Sequence, residues 1–133
     1  MELDDRSVAM RIYNFDKDLE VARPFEYKFG SWIAEQLDSH VEYAPDGIFE
    51  DWDVKCNNDT FEVKYDRWLA SSQNIIVETH SDLHQNSLGW FYTTKAKWLI
   101  VFYNETEFIM MPMEHLRDVW FDCPSIWTRK DIQ

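Results

Sequence analysis

The sequence has 133 residues, of which 45% are hydrophobic and 17% aromatic, with only three Gly and four Pro. This composition supplies enough apolar side chains for one core, which excludes a largely disordered protein and predicts a single domain over residues 1–133. The formal net charge is −12, with 25 acidic and 13 basic side chains. Such an excess of carboxylates disfavours a protein that binds DNA through a broad basic surface.

Membrane and secretory features are missing from the sequence. No apolar run approaches the roughly 18–20 residues that cross a bilayer. The segment Met1–Asp5 is acidic and has neither the basic nor the apolar region of a signal peptide. The two cysteines, Cys56 and Cys123, form no CxxC pair. We therefore expect reduced thiols, no membrane partner and a cytoplasmic protein, located in the host cytoplasm if a phage encodes it.

The first half of the chain predicts a helix followed by a β-hairpin. Residues 1–23 are polar and weakly periodic, which indicates an irregular arm or a short helix. Pro24 suits the first position of a helix. Apolar residues then recur at spacings of three and four and predict an amphipathic helix of about four turns; they are Phe25, Phe29, Trp32, Ile33 and Leu37. After a turn at Asp46-Gly47, strand-like runs near 48–57 and 60–66 are joined by residues 57–59, which favour a tight turn.

The second half predicts further strands. Residues 74–80 are short and rich in β-branched side chains, which indicates a buried strand, and residues 81–95 predict a loop with a short helix. The continuous apolar run at 98–103 is typical of a central strand. A last strand at 107–111 is followed by Pro112 and a short helix through Arg117. The order α-β-β-β-α-β-β-α predicts an α/β sandwich with a central mixed sheet flanked by helices.

Three charged residues of the hairpin are expected to share one face of the sheet. Glu62 and Lys64 are two residues apart on a strand and therefore point the same way. A two-residue loop at 57–58 would place Asp53 opposite Glu62, and a loop at 58–59 would place it opposite Lys64. A three-residue loop would turn Asp53 away, and Asp51 becomes the alternative if the register slips.

Two carboxylates so close together repel each other unless a cation lies between them. Hard oxygen ligands suit Mg²⁺ or Mn²⁺, which can polarise a phosphodiester and acidify a bound water. Lys64 could orient that water, help to deprotonate it, or stabilise the charge that develops on phosphorus. The pattern therefore indicates a divalent-metal site with a lysine beside it.

The arrangement Asp53-x8-Glu62-Val63-Lys64 on a hairpin, preceded by an amphipathic helix, resembles the PD-(D/E)XK nucleases. These include restriction enzymes, archaeal Holliday junction resolvases and small phage junction-cleaving endonucleases, and the phage type is the most similar. The resemblance extends over residues 24–103. It implies a restriction-endonuclease-like α-β-β-β-α-β core, which we expect to occupy about residues 24–111. Trp52 departs from the family pattern, which often has Pro before the metal-binding Asp.

The resemblance also implies roles for individual residues. Asp53 and Glu62 would bind the metal with the Val63 carbonyl, and Lys64 would be the catalytic lysine. Two more carboxylates would complete the site: a helix carboxylate, which is Glu26 with Glu35 as the alternative, and Glu78. Lys95 matches a basic residue that some members place near the scissile phosphate, and the nearby cations Arg67, Lys97 and Lys55 could steer DNA to this face.

The resulting expectation is a Mg²⁺- or Mn²⁺-dependent DNA endonuclease that acts on branched or distorted DNA. By analogy with the family it would be a two-fold dimer. An exonuclease or an RNA-directed nuclease on the same fold is an alternative. Another is a non-catalytic protein whose acidity mimics DNA. The aromatic run Trp90-Phe91-Tyr92 could stack on unpaired bases, although such a run more often belongs to a core or a dimer interface.

Overall fold

The computed structural model describes residues 10–11, 15–46, 49, 51–73, 77–82, 87–122 and 131–132. The elements in chain order are β1 (Met10–Arg11), α1 (Phe15–Leu37), β2 (Val41–Tyr43), β3 (Val54–Cys56), β4 (Asp59–Tyr65), α2 (Leu69–Ser72), β5 (His80–Asp82), β6 (Ser87–Leu88), α3 (Trp90–Thr93), β7 (Trp98–Phe102), β8 (Phe108–Pro112), α4 (Met113–Asp122) and β9 (Asp131–Ile132). The protein is of the α/β class, as predicted.

The main sheet has five strands in the order β2-β3-β4-β7-β8. The pairs β2–β3, β3–β4 and β7–β8 are antiparallel, whereas β4 and β7 are parallel, so the sheet is mixed. Parallel neighbours require a long crossover, and here it contains α2, the β5–β6 pair and α3. Two small two-stranded sheets, β1–β9 and β5–β6, lie outside the main sheet.

Two hydrophobic cores cover the two faces of the sheet. On one face, α1 packs through Phe25, Phe29 and Ile33 against the hairpin of β3 and β4. On the other, Leu99 and Val101 of β7 pack with residues of α2, α3 and α4. Alternate residues of β7 therefore enter opposite cores, which explains why residues 98–103 are apolar without alternation. The prediction of a central strand there is confirmed.

Helix α1 begins earlier than predicted. It starts at Phe15, and Pro24 lies inside it, so the prediction that Pro24 opens the helix is wrong. Proline in a helix interior removes one backbone hydrogen bond. The preceding segment of residues 16–23 contains Leu, Glu, Ala, Lys and Arg, which favour helix and allow it to continue across this position.

The predicted hairpin is present, but its first strand is shorter than expected. Residues 54–56 and 59–65 are the paired strands, and Asn57 adopts a φ of 56° in the two-residue turn between them. Residues 51–53 are irregular. Gly47, Ile48 and Glu50 lie outside the described residues, so the predicted turn at Asp46-Gly47 is described only at Asp46.

The predicted strand at 74–80 is confirmed only at its last residue, His80, which begins β5. Residues 77–79 are buried but do not belong to a strand, and residues 74–76 lie outside the described part. The Glu78 carbonyl accepts a hydrogen bond from the Phe91 amide, and the Thr79 carbonyl accepts one from Gly89. The apolar sequence thus reflects burial under α3 instead of strand pairing.

The remaining differences concern short elements. β2 was not predicted, although Val41 and Tyr43 pack on the first core. Residues 81–95 contain the predicted short helix, α3, together with β6 and part of β5. Helix α4 continues past Arg117 to Asp122. Cys56 is buried in the first core, as its alternation with Val54 predicted, and Cys123 lies outside the described residues.

No helix within the described ranges combines the length and apolarity needed to span a membrane.

Candidate active site

The hairpin brings Asp53 close to Glu62 without pairing the two residues. Val54 pairs with Phe61 and Cys56 with Asp59, which is the register of a two-residue loop at 57–58. The Asp53 amide donates a hydrogen bond of 2.9 Å to the Phe61 carbonyl, whose residue already pairs with Val54, so the regular pairing ends at Val54. The predicted pairing of Asp53 with Glu62 is therefore not among the strand pairs, although after burial the Glu62 charge is the largest cause of the raised pKa of Asp53.

Beyond Asp53 the two strands separate. β4 continues to Tyr65, whereas β3 begins only at Val54. The Asp53 carbonyl accepts a 2.9 Å hydrogen bond from Ala44, and its Oδ2 atom accepts one of 2.8 Å from the Val63 amide. The Asp53 side chain thus takes the place of a strand partner at Val63. The β3 pairing of β4 thus ends at Phe61, and Glu62 and Lys64 lie in the half of β4 beyond that point.

Glu62 and Lys64 form an ion pair on the face of β4 that points away from α1. We call this face the site face. The Lys64 Nζ atom is 2.9 Å from Glu62 Oε2, and the two side chains are 34% and 6% exposed. Burial works against the ammonium, but the charges of Glu62 and Asp53 outweigh it, so the pKa of Lys64 lies above its usual range. The Trp90 ring centroid is 5.3 Å from Nζ. Lys64 is therefore protonated, and Glu62 and Trp90 fix the position of its ammonium group.

Glu26 enters the same site from α1. Its carboxylate is buried and accepts a 3.2 Å hydrogen bond from Arg23. Arg23 also donates to the Ala44 carbonyl and to Asp46, so it ties α1 to the segment that precedes the hairpin. Burial raises the pKa of Glu26, and the Glu62 charge adds to this rise, whereas Arg23 and Lys64 lower the pKa. The alternative helix carboxylate, Glu35, is exposed.

Asp53 lies in an electrostatically unfavourable position. Desolvation raises the pKa of its carboxyl well above the usual value, and the neighbouring charges of Glu62 and Glu26 raise it further. Lys64 and the Val63 amide lower the pKa without cancelling the rise. An ionised Asp53 is thus costly in this environment, which is typical of a position kept for a function.

Glu78 approaches from the layer above the site face. Its side chain is buried, and its charge helps to raise the pKa of Lys64. Its main chain is fixed by the Phe91 amide and by Gly89, where a Cβ atom would come within 2.7 Å of the Glu78 Cγ atom. Glu26, Asp53, Glu62 and Glu78, which we call the acidic cluster, therefore surround Lys64.

The predicted DNA-steering residues do not all gather at one place. The Lys97 amide bonds to Thr60 near the hairpin turn, whereas Arg67 follows the other end of β4; the two are separated by roughly 20 Å of extended strand. Lys95 is exposed and lies 3.7 Å from Asp51. Asp51 is thus paired with Lys95 and has not replaced Asp53.

The carboxylates of the acidic cluster are suitable ligands for a hard cation, but two of them already bind other groups of the protein. Its four carboxylates face two cations, Lys64 and Arg23, which leaves two negative charges in excess when all are ionised. Across the described residues, however, no three carboxylate, thiolate or imidazole groups surround a point that would hold a metal ion. Lys64 holds Glu62, and the Val63 amide holds Asp53. A cation would therefore compete with Lys64 for Glu62.

Sequence reasoning missed three residues that shape the site. Arg23 precedes Glu26 by three positions, a spacing at which opposite charges meet on a helix, so this ion pair could have been predicted from the sequence. Trp90 was considered for stacking on bases, core packing or a dimer interface, but not as the ring beside Lys64. Nothing in the sequence marked Gly89 as part of the site, because the residue that excludes a larger side chain there is Glu78, which is distant along the chain.

Comparison of the chain with protein-family models, curated proteins and solved structures gave no match.

Proposed function

We propose that this protein is a divalent-metal-dependent endonuclease that hydrolyses DNA phosphodiester bonds. The observation that carries the proposal is the convergence of Asp53, Glu62 and Glu26 around the Lys64 ammonium where β3 and β4 separate. Burial and the neighbouring Glu62 charge raise the pKa of Asp53 and of Glu26, and buried carboxylates with raised pKa values concentrate at sites of chemistry.

The element order supports the resemblance to the PD-(D/E)XK nucleases. Helix α1, the antiparallel strands β2, β3 and β4, the intervening helices and the parallel strand β7 follow one another as α-β-β-β-α-β. The three antiparallel strands are not the three that the sequence predicted, since β2 takes the place of the strand expected at 74–80.

The carboxylates of Asp53 and Glu62, with Glu26, are the groups that would hold Mg²⁺ or Mn²⁺. Such an ion, when bound, polarises the phosphodiester and acidifies a water molecule. Lys64 has no lone pair while it is an ammonium, so it would orient water and stabilise negative charge on the phosphate, and would not act as a base. The charges of Glu62 and Asp53, with a smaller contribution from Glu78, keep Lys64 protonated.

A two-fold dimer would present two such sites to two DNA strands. A cytoplasmic location agrees with the free thiol of Cys56.

A cleavage assay with one variant tests this function. Plasmid, branched, single-stranded and RNA substrates are incubated with Mg²⁺ or Mn²⁺, using wild type and Lys64→Ala. We expect wild type to cut DNA internally and Lys64→Ala to lose about 100-fold or more in rate. We also expect Lys64→Ala to bind Mn²⁺ about tenfold or more tightly in calorimetry, because a competing positive charge has been removed.

Lys28→Ala is the matched control. Lys28 is also in an ion pair, with Glu105 at 3.6 Å, but it lies on α1 away from the site face. This variant should cut DNA and bind Mn²⁺ as wild type does. Equal cleavage by wild type and Lys64→Ala would show that a contaminating nuclease is responsible.

The rival function is a non-catalytic acidic protein that mimics DNA. It is favoured by the net charge of −12 and by the absence of a metal-holding group in the described part of the chain. Absence of cleavage with either metal on every substrate, combined with unchanged Mn²⁺ affinity in Lys64→Ala, would establish this rival over the nuclease.

A further inference from the structure

Three tryptophans beside the acidic cluster are each paired with a basic side chain. The distances from the cationic centre to the ring centroid are 6.0 Å for Lys55–Trp52, 5.3 Å for Lys64–Trp90 and 4.7 Å for Arg67–Trp68. All three distances are within the range of cation–π attraction. Three of the seven tryptophans of the chain therefore combine an aromatic ring with a positive charge that lies on β4, pairs with it or follows it.

The hairpin and the segment after it place these pairs along the length of β4. Lys55 pairs with Thr60, which shares the face of Glu62 and Lys64, so Lys55 points to the site face. Lys64 lies on that face in the middle of the strand, and Arg67 follows its other end. Trp68 precedes helix α2, whose Leu69 belongs to the core on the same side of the sheet. Because Trp68 is four residues from Lys64, chain geometry keeps their Cα atoms within about 14 Å.

The tryptophans keep part of their surface accessible. Trp68 is 54% exposed, and Trp52 and Trp90 are half-buried. Each ring therefore has one side against a cation and some surface left for another flat group. A base can stack on such a ring, and the neighbouring cation can bind the adjacent phosphate, which is how proteins bind unpaired strands without reading their sequence.

A DNA duplex fits these features poorly. Its bases are already stacked inside the helix, so it offers mainly phosphates, and affinity for phosphates requires a broad basic surface. This chain has a net charge of −12. We propose that the site face binds an unpaired DNA strand, with Trp52, Trp90 and Trp68 as stacking surfaces; this inference rests on the proposed nuclease function and specifies its substrate.

Binding is measured without metal, in the background of Asp53→Asn. Asparagine keeps an oxygen that can accept the Val63 hydrogen bond and removes one negative charge near the phosphates. Fluorescence anisotropy follows a labelled 20-nucleotide single strand and the duplex of the same sequence, and intrinsic tryptophan fluorescence reports stacking. We expect the single strand to bind about tenfold more tightly than the duplex and to quench the fluorescence.

Trp68→Ala should weaken binding of the single strand about 5- to 10-fold, the lower part of the range for removing one stacked base. Trp32→Ala is the control, because Trp32 is 39% exposed on α1, across the sheet from the site face; it should leave binding unchanged. Circular dichroism confirms that both variants fold.

The inference fails if the duplex binds as tightly as the single strand, or if Trp68→Ala and Trp32→Ala weaken binding equally. Because this measurement contains no metal and no cleavage step, its outcome is separate from that of the nuclease assay. Selective binding of a single strand by a protein that never cuts DNA would retain the inference about the binding face and remove the catalytic proposal.

Discussion

At the scale of single residues, Asp53 has two roles that can be separated. Its Oδ2 atom accepts the 2.8 Å hydrogen bond from Val63, which is a structural role that any oxygen acceptor can fill. Its negative charge lies among Glu62 and Glu26, where burial and repulsion raise its pKa. The hydrogen bond stabilises the hairpin, whereas the charge destabilises it, as expected for the metal ligand proposed above.

Asp53→Asn and Asp53→Ala should therefore have opposite effects on stability. Asparagine keeps the acceptor and removes the charge, so its Tm at pH 7 should exceed that of wild type. Alanine leaves the buried Val63 amide without its acceptor and should lower the unfolding free energy by about 1–3 kcal/mol. Both variants should lose DNA cleavage. A lower Tm for Asp53→Asn than for wild type would show that the carboxylate is purely structural.

The advantage of Asp53→Asn should depend on pH in a defined direction. Since the pKa of Asp53 is raised in the folded state, folding favours the protonated form, and this contribution is fully present below the unfolded pKa of about 3.9. It is lost as the pH rises through the folded pKa. The difference in Tm between Asp53→Asn and wild type should thus be large at pH 7 and small near pH 4.

At the scale of elements, the hairpin was predictable and the layer above it was not. Alternation in residues 54–65 and the Asn57-Asn58 turn together specify which residues share a face, so the proximity of Asp53, Glu62 and Lys64 followed from local rules. The apolar run that contains the buried Val77 predicted a strand. Such a run indicates that a segment is buried, but not which element it packs against. Only the tertiary contacts with α3 and Gly89 decide that residues 77–79 do not join a strand.

The contact between Gly89 and Glu78 gives a prediction about this layer. In Gly89→Ala the added Cβ atom would lie 2.7 Å from the carbonyl carbon and from Cγ of Glu78, so main chain must move. We expect a loss of about 1–3 kcal/mol in unfolding free energy, measured by urea denaturation, together with slower cleavage.

Gly30→Ala provides the comparison. Its Cβ atom would meet the side chain of Tyr43 instead of main chain, and alanine favours helix by about 1 kcal/mol relative to glycine. This variant should lose less stability than Gly89→Ala. The reverse order would mean that the segment around Glu78 is loosely held.

At the scale of the whole molecule, charge opposes the compact state. A net charge of −12 on 133 residues creates self-repulsion, which salt screens. Raising NaCl from about 0.05 to 0.5 M at pH 7 should increase the unfolding free energy by about 1 kcal/mol, a few degrees in Tm.

The same salt titration near the sequence pI of about 4.6 serves as the control and should give little gain, since the net charge is small there. A loss of stability with salt at pH 7 would indicate that ion pairs such as Lys64–Glu62 outweigh the general repulsion.

The parallel pairing of β4 with β7 also sets the order in which the molecule assembles. Phe61 pairs with Val54 across a short turn, but its other partner is Trp98, far along the chain. Contacts between near neighbours form faster than those that must close a long loop. The hairpin therefore gathers Asp53, Glu62 and Lys64 early in folding, and the segment bearing Glu78 and Trp90 covers them only when β7 docks.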